Sequence, residues 1–331
     1  MIICYYHNDA DGIISGALVN YFLKGEKKFI KAEYGIKIDW EMISTSDSVF
    51  IVDFSFPPHE MEKLCLLAKN VVWIDHHVSA IKDWENNVSS MKNVFPDYDG
   101  NIDGIRKIGE SGCQLTEQYF AGKFLKNGIP QWHNDSVNSK LVEMIGTYDV
   151  WNKENEYVNF DDAYQCMLGV LERGYTPESE DLKIYFDNVY EHDISPIADI
   201  NFTDVLVYEG NIVKKYLEKF QNEKISRKSF ETSLFGKRTI AVNTPLKGAA
   251  PLLEKYYEGN FDIMCVYFFN GKMWEYSFYT EKDSIDCSMI ARSLSKDDTK
   301  IGGGHRKAAG CTLTKNLFNN RISLAMGDFI E

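Results

Sequence analysis

At 331 residues the chain is too long for one small core and suits two domains of ordinary size. Its net charge of −13 argues against an extended grip on long nucleic acid and leaves small anionic substrates, held through metal ions, as the compatible class. Seven scattered cysteines with no CxxC pair exclude a structural zinc or dithiol redox motif and read as reduced core thiols, and no apolar run reaches the roughly 18 residues of a membrane span.

The first strand-like run, MIICYYH, starts the sequence with no secretory-type leader before it, which predicts a cytoplasmic protein. A helix over IISGALVNYFLKG follows, then strands over KKFIKAEYG and VFIVDFS, a helix over PHEMEKLCLLAKN, and a strand over NVVWIDHH. That alternation predicts an α/β domain with a largely parallel sheet flanked by helices. Residues 110–220 read mainly helical, and the last helix, GNIVKKYLEKFQNEKIS, is expected to link to a second domain. From Phe230 the pattern turns to hairpin-spaced strands, FETSLFGKRTIAVNT and FDIMCVYFFNGKMWEYSFYT, with helices over APLLEKYYEG and SMIARSLSK, then IGGGHRKAAGCTL and a short tail helix. This predicts a smaller α+β module. The expected layout is residues 1–208 as the first domain, 209–229 as the linker helix and 230–331 as the second domain.

In parallel sheets ligands gather outside the carboxyl ends of the strands. Three predicted strands run straight into chemistry-bearing residues there: His7, Asp9 and Asp11 in HNDADG, Asp53 in VDFS, and Asp75, His76 and His77 in DHH. Asp149 ends a predicted helix in the same half. Asp and Asn at a strand-to-helix turn also read simply as helix caps, as does Ser111 of SGCQLT. Five carboxylates around one crevice, however, repel one another unless cations neutralise them. Two divalent ions answer that need, and the mixed N/O donor set suits Mn²⁺, with Mg²⁺ or Co²⁺ tolerated. Such a pair activates a water and polarises a phosphoryl oxygen, which implies phosphoester hydrolysis.

HNDADG, VDFS, DHH and the Asp149 of GTYDVWN, in this order, resemble the four motifs of the DHH phosphoesterases, and IGGGHRKAAG resembles the glycine-rich signature of the DHHA1 domain. The resemblance implies that His7, Asp9, Asp11, Asp53, His76 and Asp149 hold the metals, with Asp53 bridging. It implies that Asp75 orients an imidazole and that His77 faces the phosphate, so Asp53, His76 and His77 form the catalytic set. Gly302, Gly303, Gly304, His305 and Arg306 would bind substrate, with Lys300, Lys307, Arg292 and Lys296 adding charge nearby. One departure stands out, because HxDxDG has Ile13 where pyrophosphatase-like relatives carry an acid. It leaves open which of Asp9 and Asp11 binds which ion and disfavours a pyrophosphatase.

The function implied is hydrolysis of short oligonucleotides (nanoRNA) to 5′-mononucleotides. The alternatives are a 3′-phosphoadenosine 5′-phosphate phosphatase, a cyclic or linear dinucleotide phosphodiesterase, or, from another class, a non-catalytic binding subunit of the same fold. Expected partners are short oligonucleotides or small phosphorylated nucleotides, and the resemblance allows a homodimer. The aromatics of FDIMCVYFFNGKMWEYSFYT could stack on bases, but their alternation favours a core role.

Overall fold

The computed structural model describes residues 1–33, 35–94, 100–126, 139–190, 196–245, 261–295 and 302–318, in two units, Met1–Leu217 and Glu218–Glu331. The expected APLLEKYYEG and tail helices, Lys296 and Lys300 lie outside the described residues.

The first unit carries strands β1 (Ile2–His7), β2 (Lys27–Ala32), β3 (Ser48–Val52) and β4 (Asn70–Ile74) in one sheet of order β2-β1-β3-β4. Every pairing is parallel, and the register sets Tyr6, Val52 and Ile74 in one row. The residues that follow, His7, Asp53 and Asp75, therefore emerge together at the carboxyl edge.

Alternation explains why these runs are strands with two buried faces. Cys4, Tyr6, Phe50, Val52, Val72 and Ile74 pack on one side. There they meet helices α1 (Ala10–Phe22), α4 (Gly112–Lys126), α5 (Lys140–Asp149), α6 (Phe160–Glu172) and α7 (Glu180–Tyr190). Ile3, Tyr5, Val49, Ile51, Val71 and Trp73 pack on the other side, against Met61 and Leu64 of α2 (Pro58–Leu67) and Trp84 of α3 (Val78–Val94). Each fully buried side chain of this size contributes about 1.5–3 kcal/mol.

Helix α8 (Pro196–Lys228) starts well before the expected linker at residue 209. Its first half belongs to the first unit, because Leu206 is fully buried and Phe202, Val207, Val213 and Leu217 pack on the same core.

The second unit is a mixed six-stranded sheet of order β5-β6-β7-β8-β10-β9. Its strands are β5 (Ser229–Leu234), β6 (Lys237–Asn243), β7 (Ile263–Phe269), β8 (Trp274–Tyr279), β9 (Gly303–Gly304) and β10 (Ala308–Leu313). The β5–β6 turn, Phe235-Gly236, has φ of 50° and 72°, the pair of left-handed residues that a tight hairpin needs. Helix α9 (Cys287–Ser295) lays Cys287, Ile290 and Ala291 on one sheet face. Tyr267, Tyr276 and Phe278 are buried in that core, whereas Phe269 at the end of β7 is exposed.

Candidate metal centre

Asp9 does two jobs. Its Oδ1 caps α1, accepting from the backbone N–H of Gly12 at 2.9 Å, while Oδ2 lies 2.7 Å from Nδ1 of His7. The tight strand-to-helix turn needs glycine at position 12, since a Cβ there would sit 2.1 Å from the His7 carbonyl oxygen. Asp11, in the first turn of the helix, is buried and gripped from another element: the N–H groups of Gly112 and Cys113 donate to its Oδ2 and Oδ1 at 2.6 and 2.8 Å. The N-terminus of α4 thus neutralises part of the Asp11 charge.

Asp53 sits at the centre with a left-handed backbone, φ 52°, which is uncommon for a non-glycine residue and a form of strain found at functional sites. Its Oδ1 lies 3.0 Å from Nε2 of His76, and its Oδ2 lies 3.7 Å from Nδ1 of His7. The same His76 nitrogen is 3.6 Å from Asp11 Oδ2 and 3.4 Å from Asp149 Oδ2. The result is two groups of donor atoms, each mutually within 4.8 Å: His7, Asp9 and Asp53, and Asp11, His76 and Asp149. Asp53 turns one oxygen toward each.

Asp75 is spent within the protein. Its Oδ1 accepts from the backbone N–H groups of His76 and His77 and lies 2.7 Å from Nδ1 of His77, while Trp73 Nε1 donates to its Oδ2 at 3.3 Å. Asp53, Asp75 and His77 also lie close enough to form a third donor group.

Burial, and then the charges of Asp11, Asp9, Asp149 and Asp75, push the Asp53 carboxyl well above the ordinary carboxylate range. Burial and the Asp11 and Asp9 charges do the same to Asp149. Burial, reinforced by His77, lowers His76 to about 4. At Asp75 and Asp9 desolvation also works upward, but the neighbouring imidazoles outweigh it and hold both carboxyls below their usual range. Asp53 Oδ2 and Asp149 Oδ2 are buried and have no hydrogen-bond donor among the described residues. Clustered carboxylates with orphaned oxygens, set among imidazole nitrogens, fit divalent cations, which would supply the missing partners and relieve the repulsion.

The structure brings together His7, Asp9, Asp11, Asp53, Asp75, His76, His77 and Asp149. What sequence reasoning missed is the grip of Gly112 and Cys113 on Asp11. The available signal was Gly112 itself, where a Cβ would come 2.5 Å from Asp53 Cβ and 2.9 Å from Asp11 Oδ2. Ser111 is a cap, as expected: Gln114 N donates to its Oγ at 3.4 Å, and Ser111 N donates to Gln114 Oε1 at 3.0 Å, a reciprocal capping box.

In the second unit, Gly303 and Gly304 pair with Gly310 and Ala309 of β10, and the N–H of Gly302 donates to Ser295 Oγ at 3.0 Å. His305 N donates to Ala308 O at 2.7 Å. The Arg306 guanidinium donates to the Asp283 carbonyl, and Lys307 pairs with the Asp283 carboxylate at 2.7 Å.

Among solved structures, the chain is similar to a pGpG-specific phosphodiesterase, PggH, from Vibrio cholerae, at 12% identity and TM-score 0.41, covering 98% of this chain and 96% of that one. It is similar to an exopolyphosphatase-related protein from Bacteroides fragilis at 13% identity and TM-score 0.48, covering 98% and 90%. Exonuclease RecJ bound to manganese gives 14% identity and TM-score 0.48, covering 100% and 90%. No curated protein matches the sequence. The family model described as DHH family, N-terminal domain, matches residues 1–142, a span holding every clustered residue above except Asp149. Residues 1–142 thus match the N-terminal domain of the DHH family.

Proposed function

We propose that the protein is a metal-dependent phosphodiesterase that degrades short oligonucleotides to 5′-mononucleotides. The observation that carries the reading is Asp53, which presents one carboxylate oxygen to each of two adjacent donor groups at the ends of parallel strands. His7, Asp9 and Asp53 would hold one divalent ion and Asp11, His76 and Asp149 the other, with Mn²⁺ the best match to the donors. Ions bound there supply Lewis acidity to a phosphoryl oxygen and lower the pKa of a water.

The chain's own residues set the geometry. The N–H groups of Gly112 and Cys113 hold both oxygens of Asp11, so that carboxylate cannot rotate away. Asp75 fixes the His77 ring through Nδ1, which leaves Nε2 as the atom to meet a phosphoryl oxygen and steady its developing charge. Gly302, Gly303, Gly304, His305 and Arg306 are proposed to bind the substrate's far phosphate or nucleoside. A purely non-catalytic role is disfavoured because a binding subunit has no need for so costly a cluster of carboxylates.

The test is a product-resolved time course with Mn²⁺ on an RNA dinucleotide, a 5-mer and a 24-mer, beside 3′-phosphoadenosine 5′-phosphate, a cyclic dinucleotide and pyrophosphate. Rapid release of 5′-mononucleotides from the dinucleotide and 5-mer, with a slow 24-mer, is expected. Preference for another member of the panel replaces the substrate, and inertness toward all of them removes the activity.

A further inference from the structure

We infer that Glu143 is a positioning residue that sets the separation of Asp11 and Asp149, and so tunes one of the two donor groups without touching an ion or substrate. The inference rests on reading Asp11, His76 and Asp149 as an ion site.

The two carboxylates of that group reach it from different elements. Asp11 is oriented by the first two N–H groups of α4, and Asp149 ends α5. Nothing in the donor group itself ties α4 to α5. A chain of side-chain hydrogen bonds does. The capping box fixes the Gln114 side chain at the start of α4, and its Nε2 donates to Glu143 Oε2 at 3.0 Å. On the way it passes Gly146, where a Cβ would come 2.5 Å from Gln114 Cδ, so a side chain there would displace Gln114 from this path. Glu143 Oε1 accepts from Asn155 Nδ2 at 2.8 Å.

Asn155 carries the connection past Asp149. The same Nδ2 donates to Thr147 Oγ1 at 2.8 Å, two residues before Asp149, and Asn155 Oδ1 accepts from the N–H groups of Tyr157 and Val158. Between them the chain reverses through Trp151 in a left-handed conformation, φ 58°, a strained turn that needs such outside support. Glu143 faces two amide donors at once, one from each side. A carboxylate can accept both, whereas a glutamine amide would turn one N–H₂ toward another donor.

The sequence spacing matches this role. Glu143, Gly146 and Thr147 lie at i, i+3 and i+4, one face of α5. That face meets Gln114 and Asn155 rather than the ion donors, so Glu143 acts through the two helix ends.

The test is Mn²⁺ titration of the full chain by calorimetry, comparing wild type with Glu143→Ala and Glu143→Gln, with thermal melts in chelator alongside. The expected result is two wild-type sites, one of them weakened about 10–100-fold in Glu143→Ala and less in Glu143→Gln, with the other unchanged. If Glu143→Ala fails to fold, Gln114→Ala cuts one strut and is expected to weaken the same single site. A fall in melting temperature with both Mn²⁺ affinities unchanged would make Glu143 merely structural and overturn the inference. Wild-type protein that binds no Mn²⁺ would instead remove the reading of the site, and this inference with it.

Discussion

At the scale of single residues, the crevice is organised by charge that the fold cannot neutralise alone. Asp53 and Asp149 are both raised, so each holds its proton to higher pH than an ordinary carboxyl does and must lose it to ligate a cation. The sign follows: in metal-stripped protein these groups favour the fold below the ordinary carboxylate range near 4, and that contribution fades as pH rises through their raised folded values. Cation binding should therefore release protons and tighten with rising pH. Calorimetry of Mn²⁺ binding in two buffers of different ionisation enthalpy, repeated at several pH values, checks this: proton release that diminishes as pH rises is expected, and no buffer dependence at any pH would contradict it. In the other unit, His305→Ala is expected to raise the KM for a dinucleotide about tenfold while leaving bound Mn²⁺ unchanged. Loss of metal in that variant would place His305 among the ligands.

At the scale of elements, the strand ends were legible because each feature rests on a pattern the sequence displays: apolar runs of strand length, each followed at once by Asp or His. The register that puts His7, Asp53 and Asp75 side by side follows from parallel pairing. Helix α3 was not legible, since only Ala80, Trp84 and Val88 mark its buried stripe amid a polar run. The early start of α8 was hidden for a similar reason, its buried Leu206 standing among exposed polar and apolar neighbours. The α4 grip on Asp11 was hidden because it uses backbone N–H groups, which every residue but proline owns. Only Gly112 betrays it. Gly112→Ala should push the α4 end off Asp53 and Asp11, costing about 1–3 kcal/mol of stability and weakening Mn²⁺ binding. A variant with unchanged melting temperature and unchanged Mn²⁺ affinity would show that this close approach is dispensable.

At the scale of the whole molecule, the division of the chain and its charge act together. The two donor groups that Asp53 joins, His7, Asp9 and Asp53, and Asp11, His76 and Asp149, draw all their residues from the first unit. A net charge of −13 opposes extended polyanion binding, which favours substrates small enough to be held by the cations and a few side chains. Substrate choice is the part that sequence leaves open, because it depends on cleft dimensions that no motif encodes. The measurement that tests the account most directly is single-turnover hydrolysis of an RNA dinucleotide by wild type and by Asp53→Ala, each with Mn²⁺ and with chelator, beside circular dichroism of both proteins. The account predicts 5′-mononucleotides from wild type only with Mn²⁺, and a loss of at least about a hundredfold in a folded Asp53→Ala. Near-normal turnover by that variant, or equal turnover in chelator, would contradict it.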